Sequence, residues 1–369
     1  MATTATEEST EEVKVIYTRG GYDAKDLIQS FHQCLSEQGH VSHGKLMHYT
    51  ADIICSGGLR LWQKQCMDYA FEHIGLSNPR IFLYLKKRFE ELNEYFVKVT
   101  PEQFARHVDI QKKITEVVLV IQQSPKRPKP KYPKVHPNTH INDTWLENNC
   151  VSPEKAVVRK VWENGYDMVT LYNAGNELIH ACTMGATERA LFWAKWILEE
   201  DALLRKEYKS GLTTKERGPF HQTPKMRQSA GHFITAILAE SYKEYAAKGL
   251  LRMHEEFQSF IDLFRSNETY ITPTKKFDSI MNMIYVISDV PKWKTPSARN
   301  VVSDKIALTR AVNECDSFFR EILAKPALLE PLPNRIAVKQ TLQKNKNKKE
   351  KVMDQIDMMD SLFNDFYNF

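Results

Sequence analysis

Glycine is scarce in this chain, 14 of 369 residues. Neither G-x-x-x-x-G-K-[ST] nor G-x-G-x-x-G occurs, so the nucleotide-cradling loops that those spacings build are excluded. The two paired glycines, in TRGGYD (18–23) and CSGGL (55–59), read as turns. Cysteine is limited to positions 34, 55, 66, 150, 182 and 315, with no C-x-x-C pair, which reads as free thiols in a reducing compartment. Long apolar runs are missing too. The most continuous, Val117 to Ile121, is far short of the ~20 residues that span a bilayer, so no membrane segment is expected. The opening MATTATEESTEE is polar and acidic and lacks the basic and apolar blocks of a leader. An intracellular soluble protein of nucleus or cytoplasm is the expectation.

What is present is helical grammar. Apolar residues make up 42% and charged residues 26%, enough to bury a sizeable core. Residues 1–20 read as a disordered or extended lead. Val13, Val15 and Tyr17 alternate with polar neighbours before Gly20-Gly21, which suggests a short N-terminal strand. From Ala24 the spacing turns to three and four: Leu27, Ile28, Phe31 and Leu35, then Leu61, Trp62, Cys66, Tyr69, Ala70 and His73, then Ile81, Leu83, Leu85, Phe89, Leu92 and Phe96. Thr100-Pro101-Glu102-Gln103 has the form of a helix start. Further on, Ala190, Leu191, Trp193, Ala194, Ile197, Leu198, Leu203 and Leu204 form one stripe, and Phe233, Ile234, Ile237, Leu238, Ser241, Tyr242 and Tyr245 another, with a break predicted at Gly249. The expected fold is mainly α, as two irregular multi-helix domains at 21–122 and 141–330. Between them lies a basic, proline-rich linker at 123–140. A basic leash at 331–351 and an acidic-aromatic docking tail at 352–369 follow. No fixed repeat period emerges.

The linear pattern offers no legible active site. His32, Cys34, His40, His43, His48 and Cys55 crowd one region, yet only His40-x-x-His43 has the form of a ligand pair, and no second pair completes a zinc site. His180 and Cys182, two apart on a predicted helix, point in different directions. The pairs Glu90-Glu91, Glu199-Glu200 and Glu255-Glu256 read as solvated charge on polar helix faces. No catalytic residue, metal or cofactor is predicted; an enzyme with a dispersed site stays open, although nothing in the sequence speaks for one.

Charge is more informative once located. Residues 124–137 carry five Lys/Arg, five prolines and no acid; residues 339–351 carry six lysines and one glutamate; residues 354–369 contribute −4. The body is left near neutrality. The proline density forbids helix interior at 124–137 and predicts an extended, polyproline-like course. Three functions fit beside that of a plain spacer. Lys126, Arg127, Lys129, Lys131 and Lys134 could follow a nucleic-acid backbone, with Tyr132 among them. Lys126-Arg127-Pro128-Lys129 has the spare form of a nuclear import signal. Arg127-x-x-Pro130-x-x-Pro133 has the form of a polyproline ligand.

The stretch DQIDMMDSLFNDFYNF (354–369) alternates four aspartates with large apolar side chains behind a lysine-rich segment too polar to pack. A helix docked on the body is one reading. Exposed, so much apolar surface would mark a partner site. One partner mode is an amphipathic helix anchored by Val352, Ile356, Met359, Phe363 and Phe366, in the manner of acidic activation segments of transcription regulators. The other rests on Asp360-Ser361-Leu362-Phe363-Asn364-Asp365-Phe366-Tyr367, which resembles the peptide by which many proteins dock on the sliding clamp PCNA. That family places a bulky apolar residue fourth and adjacent aromatics seventh and eighth, the places held here by Phe363, Phe366 and Tyr367; Asp360 stands where the family normally has Gln. The resemblance covers eight residues. It implies a protein partner bound through Phe363, Phe366 and Tyr367, with Asp360 and Phe369 beside them. The function expected is a non-enzymatic helical adaptor in a nucleic-acid context such as replication or transcription. A structural assembly protein is a further alternative.

Overall fold

Several helices begin where a side chain satisfies one of their first N–H groups. At Thr100 the side-chain hydroxyl accepts from the Gln103 N–H at 3.3 Å while the Gln103 side chain accepts from the Thr100 N–H at 3.0 Å, a reciprocal capping box with Pro101 in the first turn. Asp23, Thr223 and Ser229 cap three other helices with their side-chain oxygens. The structure is a computed structural model that describes residues 15–37, 40–136, 143–294, 301–302 and 305–334. Its helices are α1 (Ala24–Ser36), α2 (His40–Cys55), α3 (Leu59–Tyr69), α4 (Arg80–Phe96), α5 (Pro101–Arg106), α6 (Val108–Gln123), α7 (Asp143–Asn149) and α8 (Ala156–Val161). They continue with α9 (Val169–Thr183), α10 (Thr187–Tyr208), α11 (Pro224–Arg227), α12 (Ala230–Ala247), α13 (His254–Arg265), α14 (Pro273–Ser288), α15 (Lys305–Asn313) and α16 (Asp316–Leu323).

The chain is mainly helical, as its periodicities predict. The alternating stretch near the N-terminus forms a single antiparallel bridge, Tyr17 to Asp23, around a turn closed by the Gly21 N–H on the Thr18 carbonyl at 2.9 Å. Val13, like the rest of the lead up to residue 14, lies outside the described residues.

The chain divides into two compact units, each gathered from separate stretches of sequence. One comprises Met1–Gln65, Glu91–Gln122 and Asp304–Gln340; the other Cys66–Glu90, Gln123–Ser303 and Thr341–Phe369. Sequence patterning predicts consecutive domains at 21–122 and 141–330, whereas these units interleave, with α15 and α16 joining the first.

In the first unit, α2 packs against α1 and α16, with Phe31, Leu35, Leu46, Ile53 and Phe319 fully buried or nearly so. The TRGG turn closes this unit. Asp52 accepts from the Thr18 hydroxyl at 2.6 Å and from the Gly20 N–H at 2.7 Å, and a Cβ on Gly20 would stand 2.3 Å from that carboxylate. Buried Arg19 donates to the Leu323 and Lys325 carbonyls, both at 2.8 Å, and pairs with Glu102 at 2.6 Å. A cation thus meets the carbonyl end of α16, where the helix dipole is negative. The start of the expected leash is docked as well: Leu332 is buried and its N–H donates to the Ser56 carbonyl at 2.9 Å.

In the second unit, α10 packs along α9, α13 along α14, and α12 against α8, α9 and α14. Trp193, Ile197, Phe233 and Ile237 fill this core, as their helical stripes predict, and Trp196, outside the predicted stripe, joins them. Gly249, at φ +68°, ends the α12 segment where a break was expected. Two of the glutamates read as solvated are instead buried. Glu256 pairs with Arg80 at 2.9 Å, and Glu200 is 1% exposed. Doublets hide this, because one of two adjacent helical residues can face inward while its neighbour faces out. The free cysteines are all buried except Cys150, which is half-buried, and burial pushes the Cys55 and Cys182 thiols up to about 12.

Candidate functional site

The basic stretch that sequence singled out, residues 125–136, is extended without regular secondary structure, and in the second unit it lies along a built cradle. That cradle starts at the end of α3. There the backbone widens into a turn of π-helix, Ala70–Ile74, closed by the Gly75 N–H on the Ala70 carbonyl. Such turns are rare and leave carbonyls pointing out of the ladder. Arg127 takes two of them: its backbone N–H donates to the His73 carbonyl at 2.6 Å and its guanidinium to the Phe71 carbonyl at 2.8 Å. Gly75 makes room. Its φ of +50° belongs to the left-handed region, and a Cβ there would stand 2.0 Å from the centre of the Arg127 guanidinium.

The neighbours of Arg127 are engaged in turn. The Lys126 ammonium stands over the Tyr69 ring, 5.1 Å from its centroid, and desolvation there lowers its pKa to about 8. Lys129 pairs with Glu72 at 2.7 Å. The Tyr132 hydroxyl donates to the Asp278 carboxylate at 2.6 Å, and Lys195 of α10 donates to the Pro133 carbonyl at 2.9 Å. Lys131 and Lys134 are exposed.

Beneath the strap is a charged cluster that sequence reasoning missed. Lys275, on the first turn of α14 and with 5% of its side chain exposed, stands 3.2 Å from both Glu72 and Asp278 and 4.0 Å from Asp68. Burial alone would strip its proton, but the Asp278, Asp68 and Glu72 charges outweigh that and hold the ammonium above its ordinary range. Burial likewise works to raise the Glu72 pKa; Lys275 and Lys129 overcome it, and the net shift is downward. For Asp278 burial wins, so its pKa rises despite Lys275 and the Tyr132 hydroxyl. Tyr132 is held as a phenol by desolvation and by Asp278. A lysine kept cationic and a tyrosine kept neutral are neither base nor nucleophile near neutral pH. Chemically the arrangement is a clasp that fixes the strap to the body. Its one trace in the sequence, the pair Lys275-Lys276, reads as surface charge.

Asp360, Phe363, Phe366, Tyr367 and Phe369, the residues expected to bind a partner, lie outside the described residues. Among the described residues no group of three or more His, Cys, Asp or Glu is placed to hold a metal ion, and no helix is long and apolar enough to cross a membrane. In the first unit a cleft of about 670 Å³ is lined by Glu91, Tyr95, Lys98, His107 and Lys113 among others, with Lys113 paired to Glu91 at 2.9 Å. It mixes both signs of charge. No family model, curated protein or solved structure matches the chain.

Proposed function

We propose that this chain is a non-enzymatic helical adaptor of a nucleic-acid process, replication or transcription, recruited to a protein partner through residues 360–367, with a sliding clamp as that partner. The observation that carries the reading is the spacing of Phe363, Phe366 and Tyr367 behind six lysines in 339–351. In a single tight turn, fourth, seventh and eighth positions gather into one apolar plug, and Asp360 and Asp365 beside it favour a basic rim. The clasped strap supports a scaffold role for the body: Lys126, Arg127 and Lys129 bind the protein's own ring, carbonyls and carboxylate.

Binding of the full chain to immobilised PCNA tests this. Phe366→Ala/Tyr367→Ala should weaken it at least tenfold and Ile356→Ala should leave it unchanged. Equal losses at Ile356 and Phe366 would mean an amphipathic helix of the activation type instead, since Ile356, Met359, Phe363 and Phe366 then share a face.

A further inference from the structure

The connection from α10 to α12 is a second concentration of positive charge, distinct in sequence from the 124–137 strap. Residues 205–228 hold seven Lys or Arg and two Glu. Within it Arg205 pairs with Asp201, Arg217 with Asp167, Lys215 with Glu163 and Arg227 with Glu216. Counting the three carboxylates that reach in from outside the segment still leaves an excess of two positive charges. Lys206, Lys209 and Lys225 are exposed.

Apart from the last turn of α10 and the short α11, this segment has no regular secondary structure, yet it is firmly held. Asp201, buried in α10, accepts from the Leu212 N–H at 2.8 Å, the Ala230 N–H at 3.0 Å and Arg205 at 3.1 Å, so one carboxylate ties both ends of the loop. Asp167 accepts from the Thr213 hydroxyl and from Arg217, which ties its middle. Gln222 bridges the His232 ring and the Arg265 carbonyl, each at 3.0 Å. From this frame two aromatic rings project into solvent. Phe220 is 94% exposed, with the Arg227 guanidinium 5.8 Å from its centroid, and Tyr208 is 70% exposed.

An ordered loop that leaves a phenylalanine almost wholly in water forgoes its burial, and its lysines add positive charge to the same connection. We infer that the 206–228 loop is a binding surface for single-stranded nucleic acid, with Phe220 and Tyr208 as stacking platforms and Lys206 and Lys209 as phosphate contacts. The ring geometry favours a base over a peptide. A peptide anchor needs a concavity to enter, whereas a projecting ring offers a flat face on which any unpaired base can stack. Duplex bases have no free faces to offer, so the preference is for single strands. The inference does not depend on the 360–367 plug.

The test is fluorescence anisotropy of the full chain with 20-nucleotide labelled oligodeoxythymidylate, oligouridylate and a DNA duplex. Either or both single strands should bind more tightly than the duplex, and which of them is preferred tells DNA from RNA. Phe220→Ala should weaken single-strand binding about tenfold, and Phe220→Trp should preserve it. Lys206→Glu/Lys209→Glu should weaken it and flatten its dependence on salt, the slope falling by roughly 0.7 for each phosphate no longer neutralised. Because these side chains are exposed, unchanged thermal unfolding of each variant shows that the fold is kept. Wild-type affinity in Phe220→Ala would overturn the inference. So would loss of binding only on Lys131→Ala/Lys134→Ala, absence of oligonucleotide binding, or capture of an acidic peptide in its place.

Discussion

Replacing Gly75 with alanine probes the clasp at its tightest point. Two effects add. At φ +50° and ψ −131°, a backbone conformation that glycine adopts far more readily than any other residue, an alanine costs on the order of 1 kcal/mol relative to glycine. Its Cβ would also stand 2.0 Å from the Arg127 guanidinium, which must move and give up its bond to the Phe71 carbonyl. A hydrogen bond from a charged group to a buried carbonyl is worth roughly 1.5–3 kcal/mol, so the whole change is about 3 kcal/mol. In an Arg127→Ala background only the backbone part should remain, about 1 kcal/mol, leaving a coupling of about 2 kcal/mol between the two positions. The assay is native-state trypsin cleavage after Lys131 and Lys134, since the bonds after Arg127 and Lys129 precede proline. At limiting protease the rate follows the population of opened strap, so 2 kcal/mol is close to thirtyfold. Equal effects of Gly75→Ala with and without Arg127, or unchanged cleavage, would refute the clasp.

Lys275→Met should lower stability by roughly 3–5 kcal/mol in urea unfolding, because Glu72 and Asp278 lose their buried counterion. Adding Asp278→Leu should restore much of it. His232, 3% exposed, has its pKa lowered to about 3 by burial and by the nearby charges of Arg265, Lys276 and Arg217. The folded state therefore refuses a proton that the unfolded chain accepts below about 6.5. Stability contributed at this site is complete above that pH and falls by up to about 1.4 kcal/mol per unit down toward pH 3, and His232→Gln should flatten that part of the pH–stability profile. Thr100→Ala removes the capping box and should cost about 1 kcal/mol in thermal or urea unfolding.

Local signals carried most of the fold. The Thr100 cap, the α10 stripe and the Gly249 break depend on residues a few positions apart, and spacing suffices to read them. The proline content of 124–137 likewise announces an extended backbone. It does not announce what that backbone lies on. Arg127 finds carbonyls 54 and 56 residues earlier, Tyr132 a carboxylate 146 residues later, and neither separation leaves a trace in periodicity. Lys275 and Asp278 were invisible for another reason. A lysine and an aspartate at i and i+3 on a helix look like surface charge, and only a third element closing over them makes them interior. The exposed Phe220 escaped notice because a single aromatic between Pro219 and His221 has no pattern at all.

The clasp also bears on where a nucleic acid would bind. For the strap to lay its cations along a phosphate backbone, Arg127 must leave the Phe71 carbonyl, Lys129 must leave Glu72 and Tyr132 must leave Asp278. Binding that engages these groups, and not only the already exposed Lys131 and Lys134, would then draw on an opened form, and its apparent affinity would fall by the fraction of molecules that are open. An opening free energy of even about 3 kcal/mol makes that factor more than a hundred. The α10–α12 loop carries no such penalty, since Phe220 and Lys209 already stand in water and the loop's own bonds hold them there. Mutations that release the strap, Gly75→Ala among them, should therefore add a second, weaker mode of oligonucleotide binding without altering the Phe220-dependent one. If the two modes instead rise and fall together, strap and loop act as one surface and the penalty argued for the strap does not exist.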